Sequence, residues 1–266
     1  MNDGKTNVAL VTGASSGIGL EYARQLAAKG YAVAAVSNEG EKVREVCSRL
    51  SAETGVPLFP VYLDLARPEA ARELYELCKR NGWEVEILVN NAGIFFFNDL
   101  TGVEDSRIVT MLRLHVETLT LLCRYFGEAM RKRGHGYILN MSSMSAWMPF
   151  PGIAVYAATK SYLKTLSLAL RNELHDAGVV VTVVCPGAVA TDLYNLSRKL
   201  QRLALRLGIM MTPERLARKG LRAMFRRRRS IVPGLLNRLL IVLLFLVPDR
   251  LTRLIKRKAK FYRYGK

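Results

Sequence analysis

The chain has 266 residues, 50% of them hydrophobic and 23% charged, with 40 Lys/Arg against 22 Asp/Glu and a formal net charge of +18 at pH 7. That length is accounted for by one α/β domain with a modest extension, and no repeat or low-complexity linker interrupts it. Cys47, Cys78, Cys123 and Cys185 are scattered without metal or redox spacing, and His135 and His175 have no companions that suggest a ligand set. The composition therefore argues against a metal centre and for reduced, cytosolic thiols.

Met1-Asn2-Asp3-Gly4-Lys5 passes directly into an apolar run, Asn7–Thr12, so no signal peptide is expected. The run reads as a buried parallel strand. It feeds Thr12-Gly13-Ala14-Ser15-Ser16-Gly17-Ile18-Gly19 and then a helical stretch from Leu20 to Lys29. Strand, glycine turn and helix start together make a phosphate cradle: glycines admit a close backbone approach, and the helix N-terminus offers unpaired N–H groups. The spacing is Gly-x-x-x-Gly-x-Gly.

Further strands are expected at Tyr31–Val36, Leu58–Leu63, Glu86–Val89, Tyr137–Met141 and Val179–Val184, alternating with amphipathic helices. Such alternation predicts a single-domain, Rossmann-type, doubly wound parallel sheet with helices on both faces. Ligands in such sheets sit beyond the carboxyl ends of the strands. Polar or turn residues stand at those ends: Ser37 and Asn38, Asp64 and Leu65, Asn90 to Gly93, Ser143, and Pro186 with Gly187. Two helices are expected at about 101–133, which carries His115, and about 154–177. The second holds Tyr156 and Lys160, four residues apart on one face. An ammonium beside a phenol draws its pKa down from about 10, as a proton donor to a developing alkoxide requires. A hydroxyl at Ser143 is placed to hold a carbonyl oxygen beside that phenol. Apolar segments flank these residues, Ile94-Phe95-Phe96-Phe97 and then Met144, Trp147, Met148 and Phe150, and an apolar ketone or alcohol is the expected substrate.

Through Thr12-Gly13-x-x-x-Gly17-x-Gly19, Asn90-Asn91-Ala92-Gly93, Ser143, Tyr156-x-x-x-Lys160 and Pro186-Gly187-x-Val189-x-Thr191, residues 7 to 195 resemble the short-chain dehydrogenase/reductase family. The resemblance implies an NAD(P)-dependent carbonyl reductase. Tyr156 would be its general acid/base, Lys160 would hold the nicotinamide ribose and acidify the phenol, and Ser143 would orient the carbonyl. It implies a cofactor site built from Gly13, Ser15, Ser16, Gly17, Ile18 and Gly19. Asp64 and Leu65 would lie near adenine, Asn91, Ala92 and Gly93 on the adenosine side, and Pro186, Gly187, Val189 and Thr191 around the carboxamide and pyrophosphate. Many members carry an asparagine in a proton relay where this chain has His115, which either orients a relay water or is a plain helix histidine. Ser37 and Asn38, with Lys42 and Arg44 nearby, favour NADP, and Glu39 would oppose a 2′-phosphate if it points inward, which keeps NAD as the second candidate. The resemblance also implies a homo-oligomer built through the two long helices.

The last quarter departs from the rest. Residues 1–197 hold nineteen basic and twenty acidic side chains, and residues 198–266 hold twenty-one and two. Leu193, Leu196, Leu200, Leu203 and Leu207 draw one stripe, with Arg198, Lys199, Arg202 and Arg206 between them. We read 1–232 as the main domain, including a substrate lid at about 192–212, and 233–266 as a basic amphipathic extension. The fourteen-residue run Leu235–Pro248 contains Arg238. It is shorter than the roughly 20 residues a spanning helix needs. It fits an interfacial helix on an anionic membrane, with a subunit interface as the competing use and nucleic acid disfavoured for want of stacking aromatics. The expected location is cytoplasmic, peripheral at the inner face of a membrane. The rival functions are a soluble reductase of a small or acyl-carrier-bound ketone, and a non-catalytic cofactor-binding scaffold.

Overall fold

The computed structural model describes residues 6–148, 150–190, 202, 204–206 and 210–244. Seven parallel strands form one sheet in the order β3-β2-β1-β4-β5-β6-β7. They are β1 (Thr6–Thr12), β2 (Ala32–Ser37), β3 (Leu58–Tyr62), β4 (Trp83–Asn90), β5 (Gly136–Met141), β6 (Val179–Val184) and β7 (Ser230–Ile231). The six predicted strands stand within three residues of their expected bounds. The seventh escaped prediction because two residues behind four arginines carry no periodicity.

Alternation along the strands divides the core. Val8, Leu10, Leu88, Ile138 and Val181 face α3 (Ala70–Arg80), α5 (Leu119–Arg133) and α6 (Ala154–Glu173). Ala9, Val11, Val33, Ile87 and Leu139 face α1 (Gly17–Ala27), α2 (Gly40–Thr54) and α7 (Pro213–Phe225). Burial on both faces explains why the inner strands are continuous apolar runs such as the fully buried Ala32-Val33-Ala34-Ala35-Val36. Pro60 is tolerated because β3 is an edge strand.

The helix expected over about 101–133 begins later, with a 3₁₀ turn at Leu100–Gly102 and then α4 (Asp105–Leu112). It runs into α5 through a π-helical segment, Arg113–Thr118, whose wider turn rotates the side chains it carries. His115 sits in that segment. α8 (Leu235–Leu244) follows β7. Most of the lid expected at 192–212 lies outside the described residues, as does Thr191. At its end, Met211 pairs with Val189.

Candidate active site

The chain reverses direction across the sheet between β1 and β4, and the crevice above that junction opens beyond the carboxyl ends of the strands. A groove of about 510 Å³ occupies it. Gly13, Ser15, Ser16, Gly17, Ile18, Ser37, Asn38, Asp64, Leu65, Asn91, Ala92 and Gly93 all line this groove. Gly13 and Gly17 have φ of +67° and +56°, in the left-handed region that favours glycine. Gly19 lies beneath the turn, where a Cβ would stand 1.9 Å from the Gly13 carbonyl oxygen. The N–H groups of Gly17, Ile18 and Gly19 precede the first bond of α1, Leu20 N–H to Ser16 O. A turn this closely packed, with the N-terminal residues Gly17 and Ile18 of α1 lining the groove, fits the diphosphate of a dinucleotide.

Side chains brace the turn from β4. Thr12 Oγ1 accepts from the N–H groups of Asn91 (2.9 Å) and Ala92 (3.0 Å), and the Asn91 amide donates to Thr12 O at 2.9 Å. Asn90 faces the other way: its amide donates to Asn140 Oδ1, whose own amide donates to Ser167 Oγ, each at 2.9 Å. This network ties β4 and β5 to α6 rather than to a ligand. Asp64 Oδ1 accepts from Ala66 N–H at 2.9 Å, and Leu65 O accepts from Thr118 Oγ1 at 2.8 Å.

The far end of the groove carries its own anion. The Glu39 carboxylate accepts from Ser15 Oγ at 2.8 Å and pairs with Lys42, which together hold its pKa below the usual range. Ser37 Oγ donates to Ser15 Oγ at 2.9 Å. Glu39 therefore points inward. Asn38 and Glu39 also border a second concavity lined by Lys42, Arg44 and Tyr62.

Ile18, Asn91, Gly93 and Ile94 line both the groove and a smaller pocket of about 60 Å³ beside it. That pocket brings together Ser143, Tyr156, Lys160, His115, Pro186, Gly187 and Val189. Ser143 lies just past β5, where its Oγ accepts from Ser145 N–H at 3.1 Å and caps the short turn Met144–Trp147. Its hydroxyl proton remains to donate. Tyr156 is 7% exposed, its ring edge-on to Phe95 (centroids 5.0 Å apart). Lys160 is buried one turn further along α6, with Nζ donating to Met141 O at 3.0 Å and lying 5.5 Å from the Tyr156 ring centre. Burial lowers its pKa to about 8. Ser142, which sequence reasoning passed over, fixes that turn of α6 by donating from Oγ to Lys160 O at 2.7 Å.

His115 has both ring nitrogens engaged. Nε2 accepts from Ile94 N–H at 3.0 Å, so Nδ1 carries the proton and donates to Thr159 Oγ1 at 3.0 Å. Thr159 in turn donates to Tyr156 O at 2.8 Å. Burial first, and then the Lys160 charge, holds the imidazole pKa well below 6.5. With both ring nitrogens bonded within the protein, the geometry favours the structural reading of His115 over the water-orienting one. The imidazole ties the Ile94 loop to α6. His115→Phe should lower stability by about 2 kcal/mol at pH 7, leaving the Ile94 N–H without an acceptor and Thr159 Oγ1 without its donor. Because the folded pKa is depressed, the histidine's contribution is present above pH 6.5 and is lost as the pH falls below it. Urea midpoints of the two proteins should therefore converge on acidification, and a gap that widens would overturn this assignment.

The aromatic flank is divided between packing and surface. Phe96 is buried against Met111 and Tyr156, Phe97 closes over Gly152, and Lys164 Nζ stands 4.2 Å from the Trp147 ring centre. Phe95, Phe97, Met144, Trp147, Met148 and Phe150 stay partly exposed, and Phe95 reaches the pocket through its contact with the Tyr156 ring. Among the described residues no cluster of His, Cys, Asp or Glu is arranged to hold a metal ion.

Residues 7–201 match the family model described as short chain dehydrogenase. The very-long-chain 3-oxoacyl-CoA reductase of Anas platyrhynchos is 32% identical over 197 residues, 71% of this chain and 62% of that protein. The chain thus aligns with under two thirds of that relative's length. A probable oxidoreductase, EphD, of Mycobacterium tuberculosis is 32% identical over 69% of this chain and 31% of its own. Among solved structures, a short-chain dehydrogenase from Sphingobium yanoikuyae in complex with NADPH superposes with a TM-score of 0.78 at 26% identity, covering 92% of this chain and 97% of that one. A bulky-bulky ketone specific alcohol dehydrogenase from Comamonas testosteroni gives 0.75 at 26% identity, over 97% and 94%.

Proposed function

This chain belongs to the short-chain dehydrogenase/reductase family of NAD(P)-dependent oxidoreductases, and we propose that it reduces the ketone of a long-chain 3-oxoacyl or similar lipid-like substrate with NADPH. One observation carries the reading: Ser143, Tyr156 and Lys160 line a single pocket that shares a wall with the glycine-turn groove. When bound, the dihydronicotinamide supplies a hydride to the carbonyl carbon. Ser143 holds the carbonyl oxygen with a hydrogen bond from its hydroxyl, whose proton it keeps, and fixes its direction. Tyr156 gives up the phenolic proton to that oxygen as negative charge develops on it. Lys160, charged below about pH 8, would hold the cofactor's ribose and favours the phenolate that Tyr156 becomes. Phe95 covers one edge of the Tyr156 ring and, with the buried Phe96, gives that side of the phenol an apolar wall.

The partly exposed aromatic and methionine flank supports an apolar substrate, and the names of several relatives support an acyl ketone. Lys42 and Arg44 beside the groove support NADPH, and Glu39 opposes it at short range. A panel of 3-oxoacyl thioesters of increasing length, followed by NADPH and NADH oxidation, tests both points. The efficiency should rise with chain length and be higher with NADPH. Glu39→Gln should increase the NADPH-over-NADH ratio by about tenfold by removing one repulsive charge. A preference for short polar ketones, or an unchanged ratio, would overturn the substrate or the cofactor reading respectively.

The basic last quarter supports peripheral contact with an anionic membrane, and no helix among the described residues is long and apolar enough to cross one. Exposed Val109 and Leu112 on α4 and Tyr162 on α6 support a homo-oligomer through those helices.

A further inference from the structure

The large hydrophobic side chains exposed among the described residues number nine, and four of them lie on one short helix. Leu236, Leu239, Leu240 and Leu243 of α8 are between 36% and 56% exposed. Steps of three, one and three put them on one face. The opposite face is anchored. Asn237 Nδ2 donates to Pro233 O at 2.7 Å, and the Asn237 side chain fills the space beside Gly187, where a Cβ would fall 2.5 Å from its Oδ1. Ile241 is buried, and the helix lies against the turn Met144–Trp147 that Ser143 caps. Gly187 itself lines the pocket that holds Ser143 and Tyr156. One face of α8 thus backs the catalytic pocket while the other presents leucine to the outside.

Charge selects the occupant of that face. Arg238 is exposed on the same helix, its Nε donating to Val232 O at 3.0 Å, and the exposed Arg226–Arg229 run leads through β7 into it. Residues 198–266 carry twenty-one basic and two acidic side chains. A second copy of the chain would bring like charge against like charge. An acidic protein partner would satisfy the arginines but not four adjacent leucines. An anionic bilayer satisfies both, taking the leucines into its acyl boundary and the arginines at its headgroups.

We propose that the leucine face of α8 docks on an anionic bilayer surface and seats the catalytic pocket at the membrane, so that an acyl chain reaches Tyr156 from the lipid phase. The delivery role rests on the lipid-like substrate proposed above; the docking does not.

The test uses the full chain, phosphatidylcholine vesicles with and without phosphatidylserine, and a Leu239→Ser/Leu243→Ser double variant. Wild type should float with the anionic vesicles and much less with the neutral ones, and added salt should weaken its binding. The double variant should bind at least about tenfold more weakly, since it forfeits burial of two leucines. Its activity on a short, water-soluble 3-oxoacyl thioester should match wild type, and its activity on a long-chain substrate embedded in vesicles should fall. Leu236→Glu is a second variant with the same expectation should the first not fold. Equal flotation of wild type and variants overturns the proposal. So does a wild type that stays off vesicles, including one that forms a dimer the leucine variants dissolve, which would assign the face to a second copy. Flotation without reductase activity on any substrate would refute the proposed reaction and leave the docking surface standing.

Discussion

Tyr156→Phe should lower the rate of ketone reduction by about a thousandfold while the protein stays folded and still binds NADPH. The expected size is that of a positioned general acid, about 10²- to 10⁴-fold. The selectivity of the effect follows from the packing. Two ring contacts of Tyr156, edge-on to Phe95 at 5.0 Å and to His115 at 5.9 Å, are ones a phenylalanine ring keeps. Ser143 retains its cap on Ser145 and can still polarise the carbonyl, so a residual rate above the uncatalysed one should persist. Single-turnover oxidation of NADPH on an accepted ketone measures the step directly. A variant that binds cofactor and turns over at the wild-type rate would remove Tyr156 from the chemistry and the reductase assignment with it.

Lys160→Met should abolish activity and, in the same protein, raise stability in the absence of cofactor. The ammonium is fully enclosed and has Met141 O as its partner at 3.0 Å, and burial has brought its pKa to about 8. An unfolded lysine titrates near 10.4. At pH 7 the folded protein therefore carries a charge it disfavours by about 3 kcal/mol. Methionine of similar reach removes that charge and leaves one carbonyl without a donor, a loss of about 1 kcal/mol, for a net gain of about 2 kcal/mol. The sign has a pH signature. Between pH 8 and 10.4 the unfolded chain binds more protons than the folded one at this site, so wild-type stability from this residue rises with pH. The advantage of Lys160→Met, read from urea midpoints, should thus be full at pH 7 and should shrink through that interval. A variant less stable than wild type at pH 7 would mean that the lysine is held for structure and not for function. The same titration should appear as a limb near pH 8 in kcat/KM for NADPH, which reports the free enzyme.

Both outcomes depend on side chains four residues apart on α6, and that pair is legible in the order of amino acids alone. So are the glycine turn, the six long strands and the polar residues at their ends. These signals are local: a period of two for strands, a spacing of four on a helix, and positive φ at Gly13 and Gly17, whose demand for glycine is written in the turn itself. The parallel order also follows, because strands buried on both faces between amphipathic helices have few other ways to pack.

What tertiary structure alone decided concerns direction and partnership. Glu39 turns toward Ser15 because α2 starts where the glycine turn passes over β2, a proximity no sequence spacing displays. His115 is committed to Ile94 and Thr159 because a π-helical turn rotates it into the gap above Gly93, whose missing Cβ would lie 2.9 Å from Nε2. β7 is a strand only because β6 offers it an edge, and α8 has an inner face only because Gly187 leaves room for Asn237. The identities of the proposed reacting groups were thus set by the primary sequence, since each is defined by its own chemistry and near neighbours. Their protonation, orientation and access to substrate were set by contacts between segments remote in sequence, since burial and hydrogen-bond partners exist only once the sheet has closed its two cores.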